Sequence, residues 1–166
     1  MDILNAPWRI DYIKSEKQEG CVLCNAARAA DDRESLVLAR GAKAFIMMNK
    51  YPYTNGHLMV APYDHIGEIT AIAPDVWTEI MTLAQMAVRA LEATSRPHGF
   101  NLGVNVGRVA GAGVEDHLHL HVVPRWLGDV NFMPVLAQAR VLNQHIGETY
   151  IALAAALAQL KDASNR

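Results

Sequence analysis

Hydrophobic and polar positions along the chain form three kinds of run. Residues 36–39, 44–48 and 57–61 are short and almost wholly apolar, which predicts buried β-strands. Arg40 and Gly41 separate the first two as a turn, so these two read as a hairpin. Pro52 and the Asn55-Gly56 pair break the chain before the third strand, and Pro62 closes it. Residues 75–95 follow a different rule. There Val76, Ile80, Leu83, Ala87 and Leu91 recur at spacings of three and four, which predicts an amphipathic helix. Pro74 precedes it, Asp75 is the expected cap, and Pro97 stops it. Ile146, Tyr150, Leu153, Leu157 and Leu160 repeat that spacing in a closing helix, with fraying expected from Lys161 to Arg166. A short helix is expected over 25–30 and a fourth strand over 101–106.

The third kind of run is strict alternation, and it occurs at His117-Leu118-His119-Leu120-His121-Val122. Successive strand residues point to opposite faces. His117, His119 and His121 are therefore expected on one face, with Leu118, Leu120 and Val122 turned into a core. The order of strands, one long helix, strands and a closing helix predicts an α+β fold with an antiparallel sheet. One domain over 1–166 suits this length, with residues 1–20 as an N-terminal arm.

Composition narrows the partners. A formal net charge of -2 supplies no basic field for nucleic acid or a membrane surface. No run of eighteen apolar residues predicts a membrane span, and the first twelve residues lack the apolar stretch of a secretory signal. A cytoplasmic location is the expectation. In that setting Cys21-x-x-Cys24 is not expected to form a structural disulfide. A metal site or a redox pair fits better, and a metal site needs two further ligands from histidines or carboxylates.

Three of the seven histidines fall in the alternating run, and imidazole suits nucleophilic attack near neutral pH. Directly before it, residues 107–113 are glycine-rich, and glycines let backbone N–H groups approach a phosphate. Arg108 can add a cation. Glu115 and Asp116 bring negative charge beside such a site, which is unfavourable unless they face solvent or hold Arg108 or a histidine.

The run from His117 to Val123 resembles the signature of the histidine-triad (HIT) family, in which three histidines alternate with apolar residues. Asn49, Pro52, the stretch from Gly56 to Pro62, and His65 resemble the family's upstream half-site. Ala6-Pro7-Trp8-Arg9, the Cys-x-x-Cys, residues 97–101 and the stretch from His121 to Trp126 resemble a bacterial branch similar to diadenosine-polyphosphate phosphorylases and hydrolases. The resemblance implies that His119 attacks the α-phosphorus of a nucleotide and forms a nucleotidyl-histidine intermediate. Water or inorganic phosphate then releases the product. It implies that His121 contacts the phosphate and bridging oxygen, and that the His117 carbonyl orients the nucleophile. Asn49 would bind ribose hydroxyls, Phe45 would pack near the base, and Asn105, Gly111 and Gly113 would line the phosphates. It also implies a structural zinc on Cys21, Cys24, His65 and His117, an adenine nucleotide as substrate, no organic cofactor, and a homodimer or higher oligomer. A hydroxyl residue common before the triad in relatives is missing from Gly113-Val114-Glu115-Asp116. The rival from another class is a nucleotide-binding regulatory module without turnover of its own.

Overall fold

The computed structural model describes residues 20–129, 142 and 144–164. The expected N-terminal arm, save Gly20, lies outside the described residues. Five strands form one antiparallel sheet: β1 (Val37–Arg40), β2 (Ala44–Met48), β3 (Leu58–Pro62), β4 (Gly99–Val104) and β5 (Leu120–Arg125). Their spatial order is β1-β2-β3-β5-β4. Among the described residues three α-helices accompany it: α1 (Val22–Arg28), α2 (Pro74–Ser95) and α3 (Ile146–Ser164). The expected α+β architecture is observed. No helix among the described residues is long and apolar enough to cross a membrane.

The near-continuous apolar runs are explained by burial on both faces. Ala44, Ile46, Met48, Leu58, Val60, Leu120 and Val122 face α2 and α3 in the larger core. Phe45, Met47, Met59 and Ala61 point the other way, onto Leu23 and Ala26 of α1. Every position of the two expected helical stripes enters the larger core or packs against it. Burying one such Leu or Ile stabilises by about 1.5–3 kcal/mol, so the stripes hold both helices on that face. The Tyr150 hydroxyl in α3 donates to the Val37 carbonyl at 2.9 Å, tying the last helix to the first strand.

Several boundaries differ from expectation for physical reasons. Pro74 is the first residue of α2 rather than its prelude, because proline at that position lacks only an N–H with no intrahelical partner. Ala73 takes the cap position with no side-chain bond, and Asp75 instead pairs with Lys43 in the turn between β1 and β2. Arg96 adopts left-handed backbone at the C-terminal end, just before Pro97. The closing helix continues through Ser164, so 161–164, expected to fray, are helical. The short helix begins at Val22 and contains Cys24, three residues earlier than expected. Arg40 belongs to β1, and its guanidinium donates to the carbonyls of Ala26, Ala27 and Ala29, holding the end of α1. The fourth strand starts at Gly99, because residues 99–104 pair with residues 125–120 of β5.

The chain order places β5, last of the strands, between β3 and β4. That insertion sets the histidine run beside β3, with Met59 opposite His121 and Val60 opposite Leu120.

Candidate functional site

The alternation holds, but the strand is shorter than the pattern. β5 begins at Leu120, so His117 and His119 sit in the extended approach to it. The reason lies in the backbone: the Leu118 N–H donates to the Ile66 carbonyl at 2.8 Å, not to β3. The Leu118, Leu120 and Val122 side chains are buried, and so are the three histidines.

His117 is fully buried. Its Nε2–H donates to the Pro62 carbonyl at 2.9 Å, because a carbonyl can only accept. The lone pair on Nδ1 is therefore free to face the thiols, with Cys21 Sγ at 3.3 Å and Cys24 Sγ at 3.4 Å. Cys24 Sγ also lies 3.3 Å from His65 Nδ1. One donor atom from each of Cys21, Cys24, His65 and His117 lies within 4.8 Å of all the others. Ligands about 2.0–2.3 Å from a tetrahedral zinc stand roughly 3.5 Å apart, so this donor set fits the ion. Burial pushes the Cys24 thiol up, with the neighbouring Cys21 adding to it. Burial likewise pulls His117 below the usual histidine range, only partly offset by its bond to Pro62. A cation among these donors reverses that preference for uncharged forms.

His119 donates from Nδ1 to the His117 carbonyl at 2.9 Å. Its Nε2 is left with a lone pair. The ring stands edge-on to His121, with centroids 4.7 Å apart.

His121 sits against a fourth histidine. His57 is wholly buried, two residues before Met59 and so on the same face as His121. The Tyr53 backbone N–H donates to His57 Nδ1 at 3.1 Å, and the Asn49 amide stands 3.4 Å from the same nitrogen. Nδ1 must then be the acceptor, which leaves the proton on Nε2. That Nε2–H donates to His121 Nδ1 at 2.9 Å. His121 consequently carries its own proton on Nε2, turned outward; the Asn105 amide nitrogen 3.4 Å away is itself a donor and does not accept that N–H. Burial, and then the neighbouring His119, pull His121 down to about 4, so it is neutral near pH 7.

The remaining expected residues divide. Asn105 donates to the Gly111 carbonyl at 3.4 Å, which holds the glycine loop beside His121. Gly111 has φ +91°, a conformation L side chains rarely adopt. Nothing lies within 4 Å of where a Cβ on Gly113 would stand. Asn49 accepts the Tyr51 N–H at 2.8 Å, so its amide serves both its own loop and His57. Phe45 is fully buried and stacks on Tyr63 with centroids 5.4 Å apart. Glu115 forms an ion pair with Arg108 at 3.1 Å, one of the alternatives expected for it. His98 and His145 are exposed and accept backbone N–H groups from Leu127 and Gly147. A cleft of about 820 Å³ reaches His121 and Asn105 along β4. Gly103, paired with His121, keeps its wall open, since nothing lies within 4 Å of where its Cβ would stand.

By sequence His57 is only the first residue of the expected strand 57–61, within the stretch that resembles the family's upstream half-site. Its parity with Met59 was the available signal; the partner that decides its role lies 64 residues away.

Comparison with known proteins accords with this geometry. The family described as HIT domain matches residues 31–126. The AP-4-A phosphorylase of Mycobacterium tuberculosis strain H37Rv is 44% identical over 118 residues, which are 71% of this chain and 60% of that protein. The chain thus spans less than two thirds of that relative's length. The adenosine 5'-monophosphoramidase hnt1 of Schizosaccharomyces pombe is 26% identical over 105 residues, 63% of this chain and 74% of that protein. A Zn-bound histidine triad family protein from Mycobacterium smegmatis superposes with a TM-score of 0.68 at 27% identity, covering 87% of this chain and 97% of that one.

Proposed function

The chain belongs to the HIT domain family, and from that premise we propose that it is an enzyme transferring a nucleotidyl group from a dinucleoside polyphosphate or related nucleotide through His119. The observation that carries the reading is the fixed tautomer of His119. Its Nδ1–H is bound to the His117 carbonyl, so Nε2 presents a lone pair.

In the first step His119 Nε2 attacks the α-phosphorus, an N–P bond forms, and the bond to the bridging oxygen breaks. The His117 carbonyl stabilises the positive charge arising on the ring. His121, neutral near pH 7, offers its Nε2–H to the bridging oxygen as negative charge develops there. In the second step an acceptor oxygen attacks the same phosphorus and returns His119 to its neutral form. Backbone of the loop around Gly111 and Gly113, with Asn105, serves the phosphates. Asn49 and Phe45 mark the nucleoside end, and adenine is the base to try first. The acceptor is water in a hydrolase and inorganic phosphate in a phosphorylase. The mycobacterial relative favours phosphate, and product analysis with and without added phosphate decides between them.

Zinc, where bound, closes the Cys21, Cys24, His65 and His117 cluster and supplies cross-linking, not an open coordination position. The His117 carbonyl that orients the nucleophile belongs to that same cluster.

The direct test is His119→Ala, assayed against diadenosine tetraphosphate. Turnover is expected to fall by roughly a thousandfold or more, with an unchanged far-UV spectrum and melting curve. Comparable turnover in variant and native protein would leave only nucleotide binding, the regulatory-module reading. A homodimer is also proposed: β4 is an edge strand with an exposed Leu102, and strand edges of this kind pair with another copy. Light scattering that gives a monomer mass at micromolar concentration overturns it.

A further inference from the structure

The His57–His121 pair is covered on its outer side by a residue with no assigned role. The Tyr53 ring lies 4.5 Å from the His57 ring, tilted by 37°, and 5.8 Å from the His121 ring, tilted by 33°. Tyr53 is 42% exposed, whereas His57 is 0% and His121 8% exposed. The phenol ring is therefore the layer between this imidazole pair and solvent. The same residue supplies the backbone N–H that makes His57 Nδ1 an acceptor.

Its position is fixed from both sides. The Thr54 hydroxyl donates to the Pro124 carbonyl at 3.0 Å, fastening the next residue to β5. The His57 N–H returns to the Thr54 carbonyl at 3.2 Å and closes the turn. Tyr51 N–H on Asn49 Oδ1 holds the earlier end of the loop.

We propose that Tyr53 is a positioning residue, whose main-chain N–H and ring together hold the His57–His121 pair in the tautomer that turns the His121 Nε2–H toward the reacting phosphate. The inference rests on the nucleotidyl-transfer reading of that phosphate. Exclusion of water is what holds the tautomer. A hydrogen bond between two neutral imidazoles has one favoured direction only while nothing else can serve their nitrogens. Water reaching His121 Nδ1 replaces the His57 donor, and the tautomer loses its single solution. The ring also maintains the burial that keeps His121 uncharged. The groups facing His121 are His119 from the approach to β5, His57 from the approach to β3, the Tyr53 phenol, and the uncharged Asn105 beyond β4. Farther along β5, Arg125 is paired with Asp129.

The experiment follows histidine ¹⁵N resonances against pH in labelled native protein, Tyr53→Phe, Tyr53→Leu and Tyr53→Ala. Native protein is expected to show one Nε2–H tautomer at both His57 and His121, with His121 uncharged down to about pH 4. Tyr53→Phe keeps both signatures. Tyr53→Ala populates both tautomers and raises the His121 midpoint by at least about one pH unit; Tyr53→Leu, which keeps bulk and tolerates poor packing better, falls between. In parallel, kcat/KM on diadenosine tetraphosphate falls roughly tenfold in Tyr53→Ala, with its acidic limb displaced to higher pH, and stays within about twofold in Tyr53→Phe. Native-like tautomers and midpoints in both the Leu and Ala variants overturn the proposal. If native protein turns over no nucleotide, the functional reading fails, and the resonances still decide what Tyr53 does.

Discussion

His117 and His121 begin alike. Each occupies an odd position of the same alternating run, each is buried, and each has one ring nitrogen committed to a fixed partner. They differ in which nitrogen that is. At His117 the Nε2–H is bound to a carbonyl, so a lone pair faces two thiols and His117 is a ligand in waiting. At His121 the Nδ1 lone pair is taken by His57, so an N–H faces outward, free to donate to a ligand. Residue type and face are the same at both ends. The tautomer divides their labour, and the tautomer is set by neighbours from other strands and loops.

That contrast can be broken from either end. The largest effect is expected at the donor end. His57→Ala removes the partner that sets the His121 tautomer, and kcat/KM should fall about a hundredfold with zinc content unchanged. His57→Gln, whose amide can still donate, should recover part of that loss; an Ala variant with native kinetics would contradict the assignment. At the ligand end, Cys24→Ser should abolish stoichiometric zinc by elemental analysis. Losing the cross-link should lower stability by about 3 kcal/mol, seen as roughly 6–12 °C in melting temperature. Native protein prepared without chelator that carries no zinc, or a Ser variant that keeps a full complement, would defeat the metal assignment.

The smallest effect is in pH dependence and belongs to the donor end. His121 titrates near 4 folded and near 6.5 unfolded, so the unfolded chain takes up a proton that the folded one refuses. Stability is fully present above about pH 6.5 and declines as pH falls toward about 4, by about 2 kcal/mol after allowance for partial solvation. Urea melts between pH 7 and 4 measure it. A His121→Gln variant with an equally steep decline would assign the loss to other groups.

What the sequence disclosed follows the range of the interactions involved. The buried hairpin, the stripe from Val76 to Leu91 and the in-out alternation at Leu118, Leu120 and Val122 depend on near neighbours and were legible. The start of β5 was not, since Leu118 gives its N–H to Ile66 in a distant turn. Nor was the full role of His57, whose partner comes from the insertion of β5 beside β3. The four-residue thiol and imidazole cluster was anticipated through resemblance, as spacing alone could name only the two cysteines. Glu115 shows the remaining case: its charge was visible, its partner Arg108 was one option of several, and the loop's fold chose it.

The bond from Tyr150 to the Val37 carbonyl spans 113 residues. In a nascent chain made at about 5–20 residues per second, that separation is on the order of ten seconds of synthesis. The β1–β2 hairpin can close early, yet its apolar face waits through that interval for α3. Ribosome-bound chains halted before Ile146 would therefore be the ones that chaperones recognise, whatever the histidines are doing.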